Sequence, residues 1–209
     1  MRHTICALLL ASALVNAPDD ECLCPIFKIY GGWCDACNVG YIAGLKIPSK
    51  MLFEVLHNHG HDVDRRFILC DSCRKEIDVE GFCEKCRIGY IEGQAYFSML
   101  AYQLARGKAK RPEQITCETC ERNVEKPGWC DKCKVGMLGN VVIADRRDFE
   151  AALPEFRRLL LGLAHLNKCE SCAVAIATNG MCPDCRIVYQ DGVGTPLPRP
   201  QDQRPDRHE

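Results

Sequence analysis

Sixteen of the chain's seventeen cysteines stand in four sets of four. Cys70/Cys73/Cys83/Cys86, Cys117/Cys120/Cys130/Cys133 and Cys169/Cys172/Cys182/Cys185 each read C-x2-C-x9-C-x2-C. The first set, Cys22/Cys24/Cys34/Cys37, keeps the nine-residue gap but opens with C-x-C. Four thiolates in two C-x2-C pairs match a tetrahedral four-cysteine zinc site. Two intervening residues let the backbone curl into a knuckle, so that both sulfurs reach one ion. Two facing knuckles complete the tetrahedron. All sixteen cysteines are therefore candidate metal ligands, implying about four Zn2+ per chain. A one-residue gap cannot form the same knuckle, which sets the Cys22/Cys24 site apart.

Three other chemistries use such cysteines. Disulfides are the rule in exported chains, but a bridge within C-x-x-C closes a small strained loop and is labile. Iron–sulfur clusters also take four cysteines. Redox C-x-x-C pairs open a helix after a strand in a βαβ context, and no such context is legible here. The regular spacing favours zinc over all three.

The sets recur with a period of about fifty residues, and other positions keep register. Gly32, Gly81, Gly128 and Gly180 precede the third cysteine by two, each followed by Trp33, Phe82, Trp129 or Met181. Three residues after the fourth cysteine come Gly40, Gly89 and Gly136, with Val188 in the last unit. Tyr41, Tyr90, Met137 and Tyr189 follow. The expected hairpin fits two short strands and a turn into the nine-residue gap. The first glycine takes the turn, where positive φ is open to it. The apolar residue after it lies over the cysteines as a lid, and the second glycine lets the chain turn away. Few residues of Thr116–Lys134 are of core type, so metal is expected to drive folding of each hairpin, at about 10–16 kcal/mol for a structural zinc site. Four zinc ions in tetrathiolate sites add a formal charge of about −8, which Arg74, Lys75, Arg87, Lys132, Lys134 and Arg186 are placed to offset.

Between the sets the pattern turns helical. "SKMLFEVLHNHG" offers Ser49 as N-cap, Gly60 as stop, and Met51, Leu52, Val55 and Leu56 on one face. "GQAYFSMLAYQLARG" repeats this with Phe97, Leu100, Ala101 and Leu104, stopping at Gly107. In the third linker Phe149, Leu153, Phe156, Leu160 and Leu163 keep helical period, and Pro154 predicts a kink or a new helix start. The predicted fold class is small metal-bound α+β repeats: four zinc-ribbon hairpins alternating with amphipathic helices, in an elongated body. The boundaries are a signal peptide at 1–17, ribbons at 18–47, 70–93, 117–144 and 169–192, and helical linkers at 48–69, 94–116 and 145–168. Residues 193–209 are too polar and Pro-rich to fold.

The amino terminus, "MRHTICALLLASALVNAPDDEC", has Arg2 before an apolar run from Ile5 to Val15. That run is too short to span a bilayer and suits a signal peptide cleaved after Ala17 or Ala13. Its removal would take Cys6 with it. A secreted or periplasmic location follows, without a stable membrane span. The net charge of −1 offers no basic surplus for nucleic acid or anionic membranes.

One unit carries a resemblance. "EKPGWCDKCKVGM" (Glu125–Met137) resembles the small bacterial heavy-metal-binding domain, through Lys126, Pro127, Gly128, Cys130, Cys133 and Met137. Lys134 stands where that family has Gly, and Met137 is displaced along the chain. The match covers about a dozen residues. The four hairpins resemble zinc ribbons more broadly, which implies metal binding.

His57, His59 and His61 form a second candidate ligand group, read first as a solvated helix end. His165 is expected to pack at a helix edge. Tyr41, Tyr90 and Tyr189 are of a type that stacks on bases, but export and neutral charge favour packing. Nucleophile-elbow, phosphate-loop, dinucleotide and zinc-protease motifs are all missing, and four-thiol sites leave no open position for a substrate. The expectation is therefore a non-enzymatic, exported scaffold with a protein partner. Metal-ion buffering and a disulfide-bonded scaffold are the alternatives.

Overall fold

The computed structural model describes residues 22–56 and 59–198. The leader, Cys6, His57 and the end of the tail lie outside the described residues. Four modules follow one another along the chain. The first is α1 (Cys24–Tyr30), β1 (Gly32–Cys34), β2 (Val39–Ile42), β3 (Leu45–Ile47) and α2 (Lys50–Leu56). The second is β4 (His61–Asp62), α3 (Asp71–Glu76), β5 (Phe82–Cys83), β6 (Ile88–Ile91), β7 (Gln94–Tyr96) and α4 (Met99–Arg106). The third is β8 (Lys108–Ala109), α5 (Glu118–Glu125), β9 (Gly128–Cys130), β10 (Val135–Leu138), β11 (Val141–Ile143) and α6 (Arg146–His165). The fourth is α7 (Glu170–Thr178), β12 (Met181–Cys182), β13 (Ile187–Gln190) and β14 (Val193–Pro196). All pairings are antiparallel, in the orders β1-β2-β3, β4-β7-β6-β5, β8-β11-β10-β9 and β12-β13-β14.

Each module thus carries two features that the repeat pattern did not disclose. The first is a helix inside the nine-residue gap, in place of the expected pair of strands. Its physical reason is spacing: residues three apart are neighbours on a helix surface, so C-x2-C brings two sulfurs together at a helix start as well as in a knuckle. The second is a third strand. Its turns are two-residue pairs, Ala43-Gly44, Glu92-Gly93 and Asp191-Gly192, with both residues at positive φ, the geometry that matches strand twist. One consequence is that Val193–Pro196 forms β14, inside the stretch expected to be an unfolded tail.

Ser49 caps α2 as expected, its Oγ accepting from Leu52 N at 3.0 Å, and Gly107 ends α4. The buried faces match the expected ones in part. In α2, Leu52 and Phe53 are buried, whereas Met51 and Val55 are exposed. In α4, Met99 to Gln103 are buried and Phe97 lies exposed before the helix. In α6, Phe149, Ala152, Phe156, Leu159 and Gly162 are buried, with Leu153, Leu160 and Leu163 packed beside them. No new helix starts at Pro154, since α6 runs through it. Pro154 and Glu150, whose carbonyl lacks its usual i+4 donor, are both exposed.

A single rule explains which face is buried. Trp33, Phe82 and Trp129 lie directly across the hairpin from Gly40, Gly89 and Gly136. An aromatic ring from the following helix drops onto each glycine. The rings are Phe53, Tyr102 and Phe149, each thirteen residues after its glycine. A Cβ at these glycines would come within 2.3, 2.2 and 2.2 Å of the ring atoms. Centroid distances to the strand aromatics are 5.3 Å for Trp33–Phe53, 5.5 Å for Phe82–Tyr102 and 6.0 Å for Trp129–Phe149, within the range of favourable aromatic pairs. The glycine after the fourth cysteine is therefore a slot in a strand, not a turn. Of the expected lid residues, Trp33, Phe82 and Trp129 sit on the core side of the sheet, because neighbouring strand residues face opposite ways, whereas Met181 is exposed. The cysteine beside each one faces the other side.

The helices then share one core. Leu52 and Phe53 of α2, Leu100 and Tyr102 of α4, Phe149 and Phe156 of α6 and Ala177 of α7 belong to the same buried cluster. In place of the elongated array, the modules close on one another. Helix α2 of the first packs on α7 of the fourth, and α6 packs on both α4 and α7. Asn140, in the third module, donates its backbone N–H to Ala43 O at 2.9 Å and its Nδ2 to Ile29 O at 3.0 Å in the first. Glu155 of α6 joins the second module, accepting from Arg87 Nη2 at 2.6 Å and Leu100 N at 2.7 Å.

Candidate metal centres

The structure brings the predicted ligands together in four quartets. Their sulfurs all lie within 4.8 Å of one another in each set, and all sixteen are free thiols. Each quartet is assembled from two ends. The first pair stands at the start of a helix: Cys70, Cys117 and Cys169 are the N-cap residues of α3, α5 and α7. The second pair brackets the turn between β1 and β2, β5 and β6, β9 and β10, or β12 and β13. There the backbone folds back on the sulfur, with Cys133 N donating to Cys130 Sγ at 3.4 Å and Cys185 N to Cys182 Sγ at 3.3 Å.

The quartets fit a tetrahedral ion. A metal–sulfur distance near 2.3 Å sets the tetrahedron's edge at about 3.8 Å. Cys117–Cys130, Cys169–Cys182 and Cys169–Cys185 are each separated by 3.8 Å. The first quartet departs from this. Cys22 and Cys37 are 3.2 Å apart and both exposed, as its shortened C-x-C led one to expect.

Proton affinities within a quartet are divided. In the second module, the Cys73 N–H and the Cys86 thiol lower Cys70. Burial opposes ionisation of Cys83, yet the Ser72 hydroxyl and the Cys86 N–H hold it down at about 6. Burial and the neighbouring sulfurs push Cys73 up to about 12. In the third module the Cys120 N–H leads in holding Cys117 down at about 6, while burial pushes Cys120 well above the thiol range. Each quartet thus mixes sulfurs ready to ligate with others that must release a proton to a metal.

The residue after the fourth cysteine holds the knuckle shut. Arg87 N and Lys134 N donate to Cys83 O and Cys130 O at 2.7 and 2.8 Å. Asn38, Arg87, Lys134 and Arg186 all take left-handed φ, between 49° and 59°. Lys134, the departure from the heavy-metal-binding pattern, therefore keeps the conformation that glycine adopts freely. Lys134→Gly should stabilise the chain by about 0.5–1 kcal/mol, read as a higher urea midpoint. A lower midpoint would count against the strain at this position.

The arginines flanking the quartets turn to oxygen partners. Arg74 donates to Ile68 O at 2.7 Å, Arg87 reaches Glu155, and Arg186 donates to Pro198 O at 3.1 Å. His59 and His61 stack on each other at 5.0 Å, and His61 lies 5.1 Å from Phe97. Among the described residues, the groups that could hold a metal are the four cysteine quartets, so these histidines stand apart from them. His165 lies half-buried in the last turn of α6.

One set of contacts had no reading from the sequence. The Tyr41, Tyr90 and Tyr189 hydroxyls favour the thiolates of Cys24, Cys73 and Cys172, the second cysteines of the first, second and fourth quartets, against the burial that pushes these thiols up. Tyr90 and Tyr189 are buried. These rings pack, as export and charge had favoured, and they pack against sulfur. The signal was present in the repeat register, one residue after the slot glycine.

Together these features define a class: a mixed α+β chain with four tetra-cysteine clusters, each able to hold one metal ion in a structural role. Comparison with protein-family models, with curated proteins and with solved structures found no match.

Proposed function

We propose that the chain is an exported zinc-binding protein whose four ions lock the modules around a shared core, making a non-enzymatic scaffold for a protein partner. One observation carries this reading. In each of the first three modules the third cysteine faces the quartet, while the aromatic beside it packs into the common core. Metal binding and assembly of the core therefore share a strand. Export rests on the leader-like run at the amino terminus. Among the described residues, no helix is long and apolar enough to cross a membrane.

A second reading has its own support. The fourth cysteine of every quartet, Cys37, Cys86, Cys133 or Cys185, is exposed, which gives a competing ligand access to the metal. That favours buffering or sequestration of metal ions. Elemental analysis and thiol titration of protein from its native compartment test both readings against disulfides. About four zinc ions per chain with all thiols free is the expected result, and metal-free protein without free thiols would sink it. Exchange with a chelator then separates scaffold from buffer, being slow for the first and rapid for the second.

A further inference from the structure

We propose that the first quartet is the chain's site of reversible disulfide formation, in which Cys22 and Cys37 bond to each other and give up that quartet's ion. It rests on the metal-binding reading and says how one site differs from its copies. Every quartet has a first and a fourth cysteine, and geometry sets one such pair apart. In the fourth module Cys169 and Cys185 have their sulfurs 3.8 Å apart, the edge of a metal tetrahedron. In the first module Cys22 and Cys37 are at 3.2 Å, closer than sulfurs around one zinc ion sit. A disulfide holds its sulfurs at about 2 Å, so this pair lies on the way to one. Both its members are exposed, whereas Cys70, Cys117 and Cys169 are half-buried.

The backbone explains the difference. Cys70, Cys117 and Cys169 are N-cap residues, and Cys169 Sγ also accepts from Cys172 N at 3.4 Å. The shortened C-x-C moves Cys22 out of that position. Leu23 is the N-cap of α1 and makes no side-chain cap bond, and none of the α1 residues is fully buried. Cys22 is therefore tied down less tightly than its counterparts. The pair is also spaced to bridge. Cys22 and Cys37 lie fifteen positions apart, so their bond avoids the small strained loop of a C-x-x-C bridge.

The oxidant class that fits is a small disulfide such as oxidised glutathione, because exchange needs access and both sulfurs are open to solvent. The Cys22 thiolate attacks one sulfur of the reagent. An S–S bond forms to Cys22 and one glutathione thiolate leaves. The Cys37 thiolate then attacks the Cys22 sulfur, which closes the protein bridge and expels the second glutathione thiolate. The two cysteines lose two electrons, the reagent gains them, and no proton moves. The thiolate is the ligating form of cysteine, so only Cys24 and Cys34 are left to hold an ion. The bridge meanwhile ties the start of α1 to the turn between β1 and β2. Helix α1 carries the Ile29 carbonyl that receives Asn140 Nδ2, so the first module keeps its hold on the third. Oxidation here releases one ion without opening the shared core.

The test exposes the zinc-loaded full chain to glutathione buffers of rising oxidised fraction. Disulfides are mapped by mass spectrometry after acid quenching and alkylation, and freed zinc is followed with a coloured chelator. The Cys22–Cys37 bridge should appear first, with loss of about one ion in four and an unchanged far-UV CD spectrum. Cys24→Ser, which removes a ligand and keeps the pair, should still form the bridge. Cys22→Ser should leave Cys37 unbridged in the same buffers. A first bridge in another quartet, or one between Cys34 and Cys37, overturns the proposal. So does retention of all bound zinc once Cys22 and Cys37 are joined. A chain that holds no zinc before oxidation overturns the metal reading itself, while the order of bridge formation still judges the pair.

Discussion

Cys130→Ser should lower bound metal from about four ions per chain to about three and unfold the third module's hairpin. Cys130 is fully buried, and the cluster around it has only Cys120 and Met137 as further buried members. Two of those three residues are ligands. Without the ion, too little apolar surface remains to hold α5 against β9 and β10, and structural zinc binding is worth about 10–16 kcal/mol. Serine is a poor substitute at neutral pH, because its hydroxyl does not ionise there. The effect should spread along one route, through Trp129 to Phe149 and α6. Amide exchange should rise first in β9 and β10 and next in the first half of α6, while β5 and β6 stay protected. Cys22→Ser, at an exposed position, should cost much less. Unchanged zinc content and CD in Cys130→Ser would rule out this role.

How much of this was legible in the sequence depends on what each residue reports. The cysteines report themselves: a fixed spacing in three sets located all four quartets, and the C-x-C marked the irregular one. The Ser49 cap and the Gly107 stop were also plain, because capping is local chemistry. The helix in the nine-residue gap was hidden. "DSCRKE" and "ETCERNVE" are short and polar, and their cysteines serve a metal instead of an apolar stripe. The buried faces of α2 and α4 were read only in part, for a related reason. Periodicity ranks residues by type, yet Phe53 and Tyr102 are buried because a glycine on another element leaves room for them. That is a tertiary fact, although its trace, a ring thirteen residues after each slot glycine, lies in the repeat. Closure of the modules around one core had no local signal at all. It rests on single contacts between distant residues, such as Asn140 with Ala43 and Ile29.

The slot itself makes the last prediction. Gly136→Ala should destabilise the chain by about 3 kcal/mol, at the upper end of what overpacking a core costs. The new methyl group would sit 2.2 Å from Phe149 Cδ2 and 2.3 Å from Cγ. Phe149 cannot retreat easily. It is 3% exposed, it rises from the first turns of α6, and Trp129 lies against it. The strand cannot shift either, because β10 is paired on both sides, with β9 and β11. Gly89→Ala should behave alike against Tyr102. The fourth module is the natural control. It has Val188 at this position, half-exposed at 38%, and no helix follows β14 among the described residues, so Val188→Ala should cost well under 1 kcal/mol. The cause is isolated by a double-mutant cycle in urea. Phe149→Leu should be costly in the parent and much less so in Gly136→Ala, since the smaller side chain vacates the space that the methyl group needs. Additive costs would mean that the glycine serves the strand and not the ring, and the rule proposed for the three helices would fall with it.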